Sequence, residues 1–124
     1  METYEITIWD TPTSLNKLLR MHWAARKRIK ERFSLAVFAG VNRSNLPKDF
    51  QVSPKKVSLE MTVYFGGRGR LPDGDNILKD CYDLLTKHGV IHDDSQEWLS
   101  WTQPTILRDR ENPRTEITIR EEQI

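Results

Sequence analysis

The sequence predicts an α+β domain, a small mixed or antiparallel sheet with two main helices packed on one face. Three observations predict it. Residues 57–65 alternate apolar and polar without error, two stretches carry apolar residues at helical spacing, and the periods follow the order strand, helix, strand, helix, strand, strand. At 124 residues the chain is long enough for one core and too short for two, so residues 1–124 are expected to form a single domain.

The elements follow in chain order. Tyr4, Ile6 and Ile8 alternate with Glu5 and Thr7, the period of a half-buried strand that ends near Trp9, and Asp10-Thr11-Pro12-Thr13-Ser14 breaks it. From about Asn16 to Val41 one helix is predicted, with Met21, Ala25, Ile29, Phe33, Ala36 and Val37 on one side and Arg20, Trp23, Lys27 and Lys30 on the other. Residues 42–54, rich in Asn, Ser, Pro and Asp, read as a loop. The strand at Val57 to Phe65 ends in a flexible basic loop, Gly66-Gly67-Arg68-Gly69-Arg70. A second helix runs from about Asn76 to Lys87: Asp75 is placed as N-cap, Ile77, Leu78, Cys81, Leu84 and Leu85 form its buried stripe, His88 caps its end and Gly89 stands at C′. Trp98 to Arg108 is a strand interrupted at Pro104, and Thr115 to Arg120 alternates again after the turn at Glu111-Asn112-Pro113.

Composition excludes several classes. With 37% hydrophobic and 30% charged residues the chain can bury a modest core, and neither a targeting segment nor a membrane span is present, so no membrane partner and a cytoplasmic location are expected. The single cysteine, Cys81, is expected to be a buried, reduced thiol. Net charge is only +1, but it is segregated: seven basic residues between Lys17 and Arg32 (Lys17, Arg20, Arg26, Lys27, Arg28, Lys30, Arg32) face one acid, Glu31. The acids gather in residues 73–97 and near the C-terminus. A polyanion-binding face beside an acidic metal pocket requires this pattern, and solvated helix faces also show it.

The chemistry concentrates in residues 71–96, where Asp73/Asp75 and Asp93/Asp94 bracket a short helix carrying Lys79. Carboxylate oxygens are hard ligands, and Mg²⁺ takes one or two of them together with waters and substrate phosphate oxygens. Gly74 allows the Asp73-Gly74-Asp75 turn to bring both side chains toward one ion. Lys79 lies one turn after Asp75 and one turn before Asp83, where a cation can stabilise charge developing on a phosphate. The opposing reading is structural: Asp75 as a cap, Asp73 as a turn residue and Lys79 in surface pairs of about 0.3 to 0.5 kcal/mol. The second acidic pair favours the site. A helix of about 12 residues runs roughly 18 Å, and an extended stretch from Gly89 to Asp94 spans roughly 20 Å, so Asp94 just reaches back. The site is then completed either within one subunit or across a two-fold axis. An EF-hand is excluded by Ile77 and Leu78 at its fifth and sixth positions, and no P-loop, Gly-x-Ser-x-Gly or histidine-based triad is present. His22 reads as a residue of the basic helix.

At these positions the chain resembles the RusA family of Holliday-junction resolvases, small dimeric magnesium-dependent endonucleases of phage origin. The resemblance is carried by Asp73-Gly74-Asp75-Asn76, Lys79, Asp83-Leu84-Leu85, Gly89-Val90 and Asp93-Asp94-Ser95-Gln96, with a weaker match at Ser14-Leu15-Asn16 followed by Lys17, Arg20 and His22. It implies that Asp73, Asp75 and Asp94 are the catalytic, metal-binding carboxylates, that Lys79 is an essential basic residue and that Asp93 is an accessory acid. One departure stands out: the family often carries a dense arginine run before its first aspartate, whereas Arg68 and Arg70 are here separated by Gly69 and followed by Leu71-Pro72.

The expectation is therefore a homodimeric, Mg²⁺-dependent, structure-selective endodeoxyribonuclease acting on branched DNA, the four-way junction, with no organic cofactor and a role in DNA recombination and repair. Arg20, Lys27, Lys30, Arg68 and Arg70 are expected to hold phosphates, which positions DNA without reading its sequence. The alternatives are a catalytically silent junction-binding protein that uses the aspartates as caps, and a nuclease preferring flaps or forks.

Overall fold

In the computed structural model, which describes residues Glu2–Glu122, the chain runs β1 (Thr3–Ile8), α1 (Leu15–Leu19), α2 (Trp23–Arg43), β2 (Val57–Phe65), α3 (Asp75–Lys87), β3 (Leu99–Trp101), β4 (Thr105–Arg108) and β5 (Arg114–Glu121). The strands form one five-stranded sheet in the order β1-β5-β2-β3, with β4 also on β2. β5 is antiparallel to both β1 and β2, whereas β3 and β4 run parallel to β2. The sheet is thus mixed, because α3 carries the chain from the end of β2 back to its start and the next strand must run the same way.

Alternation decides which face is covered. Tyr4, Ile6 and Ile8, then Val57, Leu59, Met61 and Val63, then Ile117 and Ile119 are buried on one face, where they meet Phe33 and Val37 of α2 and Ile77, Leu78, Cys81, Tyr82 and Leu85 of α3. The other face is polar and cross-linked between strands: Arg120 pairs with Glu60 at 3.2 Å, and the Arg114 guanidinium lies 3.9 Å from the centroid of the Tyr64 ring. α2 approaches β1 closely at Gly40, where a β-carbon would stand 2.6 Å from the Thr7 carbonyl oxygen.

Two expectations are corrected. The helix predicted over residues 16–41 is two: Ser14 Oγ caps α1, Arg20 and Met21 close a turn, and the His22 Nδ1 accepts from the Ala24 N–H at 3.2 Å to start α2. Leu18 of α1 is buried, and α1 packs beside α3. His22 is therefore a cap rather than an interior helix residue. The stretch after α2 is a loop, as expected, and it contributes to the core through Leu46 and Phe50, the latter edge-on to Tyr4 at 5.2 Å. The other correction is at the start of α3: Asp75 is its first residue, and Gly74 occupies the N-cap with no side-chain bond.

The end of α3 follows expectation. Gly89 has φ +76°, the Val90 N–H donates to Leu85 O at 2.9 Å and the Gly89 N–H to Thr86 O at 3.2 Å, which is the paired bonding of a Schellman motif. Cys81 is buried, and burial pushes its thiol up to about 12. Among the described residues no helix is long and apolar enough to cross a membrane.

Candidate metal and nucleic-acid site

The turn carrying Asp73 and Asp75 sits on the break between β3 and β4. Residues 57–59 of β2 pair with 99–101 and residues 62–65 with 105–108, so the edge strand carries one more residue than β2 does between the two ladders. Pro104, buried in that break, supports the turn: a β-carbon on Gly74 would meet Pro104 Cγ at 2.8 Å and Gln103 Oε1 at 3.2 Å. Gly74 itself has φ −57° and ψ −37°, a conformation open to any residue. The glycine is required by close approach to Pro104 rather than by turn geometry.

The carboxylates of Asp73 and Asp75 are exposed, and among the described residues neither takes part in a hydrogen bond or an ion pair. The first-turn bonds are made by backbone alone, Asn76 N–H to Asp73 O at 3.1 Å and Ile77 N–H to Gly74 O at 3.2 Å. Lys79, one turn along α3, is likewise exposed and, among the described residues, makes no ion pair, so the surface pairs with Asp75 and Asp83 that the opposing reading requires are not made. Asp83 instead lines a cleft of about 220 Å³ with Asp80, Lys30 and apolar walls from Leu18, Phe33 and Leu84.

Beyond Gly89 the chain does fold back along α3. Val90 and Ile91 are buried, His92 stands edge-on to Trp98 at 4.6 Å, and the Asp93 Oδ1 accepts from the Asp94 N–H at 2.9 Å. The Asp94 charge is felt at Tyr82, whose buried hydroxyl has no partner and whose pKa is raised by burial first, then by Cys81 and Asp94. The Asp94 carboxylate is exposed. Among the described residues of the protomer, no three acidic, histidine or cysteine side chains stand close enough to hold an ion. The free oxygens of Asp73 and Asp75 nevertheless suit an ion that takes one or two carboxylates and fills its remaining positions with water and phosphate.

The basic residues divide into two groups. Lys27 and Lys30 line an open groove of about 500 Å³ with Trp23, Arg26, Leu84 and Lys87. Arg26, Lys87 and the exposed Trp23 ring were not singled out as binding residues from the sequence, although Arg26 belongs to its basic run. Arg32 is taken by Asp10 at 3.2 Å. Arg20 is exposed at the end of α1. Arg68 and Arg70 are exposed at the other end of α3, in the loop that leads to Asp73. From Asp75 to Leu84 the helix rises roughly 14 Å, so the acidic turn and the groove lie toward opposite ends of α3.

A family model, Endodeoxyribonuclease RusA, matches residues 12–120. The chain belongs to the RusA family of endodeoxyribonucleases. No individual curated protein matches it at a significant level.

Proposed function

We propose that this chain is an Mg²⁺-dependent endonuclease that resolves four-way DNA junctions by paired nicks, working as a homodimer in cytoplasmic recombination and repair. The observation that carries the proposal is the pair of exposed, unbonded carboxylates, Asp73 and Asp75, on a turn held by packing of Gly74 against Pro104. Two exposed carboxylates on one supported turn, with no bond to another side chain among the described residues, are free to meet a cation. A protein that used them only as caps would show the cap bonds, and α3 has none from a side chain.

In the proposed site Asp73, Asp75 and Asp94 hold Mg²⁺, which when bound polarises the phosphodiester and lowers the pKa of an attacking water. Lys79 meets the non-bridging phosphate oxygens as charge builds on them, and Asp93 fixes the backbone turn that presents Asp94. Arg68 and Arg70 hold the strand on one side of the turn, and Arg20, Lys27 and Lys30 hold it on the other. Completion of the site with Asp94 takes place across the dimer or by closure of the exposed segment 92–97. Self-association is supported by apolar side chains that a lone protomer leaves exposed, Leu35 at 69% and Phe38 at 50% on α2. A two-fold dimer also suits a nearly two-fold junction, since it offers two equivalent sites.

The test is cleavage of a synthetic four-way junction, a fork and a linear duplex, each with Mg²⁺ and with EDTA. Symmetric nicking of the junction in Mg²⁺ alone is expected. Equal rates on linear duplex would remove the junction selectivity, and no cleavage of any substrate would remove the nuclease.

A further inference from the structure

The loop that ends β2 is not the free tether its glycines suggest. Arg108, the last residue of β4, pairs in register with Phe65 and sends its half-buried guanidinium across the loop. Nη1 donates to the carbonyls of Gly66, at 3.3 Å, and Gly67, at 2.5 Å, and Nη2 donates to the carbonyl of Gly69. Left-handed backbone at Gly67 (φ +71°) and Gly69 (φ +94°) curls the chain so that three carbonyls meet one planar donor group. The base of the loop is tied as well: Asp109 N–H donates to Phe65 O at 2.9 Å, and Gly66 packs on Pro113.

The residues left outside this clamp are Arg68 and Arg70, both exposed, and three residues beyond Arg70 comes Asp73. We infer that Arg108 is a positioning residue: its charge is spent on loop carbonyls rather than on DNA, and it holds the loop in the one shape that presents Arg68 and Arg70 to the phosphates flanking the acidic turn. This rests on the nuclease proposed above. The physical case is entropic. A loop with three glycines is expensive to order on binding, and a loop already ordered in the free protein avoids that cost at the moment of contact.

The experiment compares Arg108→Ala with Arg68→Ala/Arg70→Ala and with the triple variant, in two assays. In the first, trypsin cleavage after Arg68 and Arg70 is timed on the free protein by mass spectrometry, and Arg108→Ala is expected to speed it several-fold. In the second, binding to a four-way junction is measured in Ca²⁺, which supports binding without strand hydrolysis. Arg108→Ala is expected to weaken it about five- to tenfold, and that loss is expected to vanish when Arg68 and Arg70 are already alanine. Arg108→Lys, which reaches fewer of the carbonyls, is expected to lie between and serves alone if Arg108→Ala does not fold. Unchanged proteolysis, unchanged junction affinity, or losses that simply multiply in the triple variant would each overturn the positioning role. A wild-type protein that binds no junction would instead remove the nuclease, and this role with it.

Discussion

Gly74 lies directly against Pro104: a β-carbon on Gly74 would stand 2.8 Å from Pro104 Cγ and 3.0 Å from Cδ. The contact ties the acidic turn to the break in the edge strand. Gly74→Ala is expected to lift the turn off its seat. A shift on the order of 1 Å at Asp73 and Asp75 should lower junction cleavage about 100-fold, while overpacking costs about 1–3 kcal/mol of stability. Pro104→Ala in the same chain should restore much of the lost rate. Failure of the second change to rescue, with the fold intact by circular dichroism, would show that the turn does not depend on this contact.

Where Asp94 joins the other two aspartates is open to a mixing test. Asp75→Asn and Asp94→Asn should each bind junction DNA and each cleave at least about 100-fold more slowly. If the site is shared across a two-fold, random pairing of the two variants regenerates one intact site in half of the dimers, and about a quarter of wild-type nicking returns. If the site is closed within one protomer, mixing restores nothing.

Gly40 is a stability position remote from the acidic turn. Its missing side chain lets α2 touch the β1 backbone, and a methyl there would lie 2.6 Å from Thr7 O and 3.2 Å from Ile8 Cγ1. Backbone cannot yield as a side-chain tip can. Gly40→Ala should cost about 1–3 kcal/mol, read as a lower urea midpoint at unchanged slope. Cleavage per folded molecule should stay at wild type.

His88 caps α3 while its ring stands 5.6 Å from that of Phe38 on α2, with Nε2 buried and unpartnered. Burial first, and then the charge of Lys87, lower its pKa below the ordinary value of 6.5. The unfolded chain therefore takes up a proton at higher pH than the folded one. Above pH 6.5 both forms are neutral and His88 adds no pH dependence; as pH falls below 6.5 stability is lost, until the folded-state pKa is passed and the slope flattens. Thermal melts from pH 7.5 to 5 should show this slope in wild type and less of it in His88→Gln. Equal slopes in the two proteins would place the titrating group elsewhere.

Much of this molecule is legible in one dimension because local periods and turn chemistry act over a few residues. The alternation in Val57–Phe65 already assigns its inner face, and the Schellman end at Gly89 follows from a glycine placed one residue after His88. The spaced motif from Asp73 to Gln96 already pointed to the family whose model matches the chain. Other features depend on partners far along the chain, and no local pattern announces them. Leu18 is buried where α1 meets α3; Leu46 and Phe50 fill the core from a polar stretch; Arg108 reaches back about forty residues to hold the glycine loop.

By itself the sequence determined the mixed helical and stranded pattern, the buried stripe of α3 and the residue types from which a phosphate-handling site can be built, because each is written in spacing and side-chain chemistry. Tertiary structure alone decided that the sheet is mixed, that Gly74 is needed by Pro104 rather than by its own dihedral angles, and that Asp73 and Asp75 stand free of any partner among the described residues. Those three depend on which distant segments share a surface. Close packing and hydrogen-bond satisfaction settle that for the whole chain at once, not residue by residue.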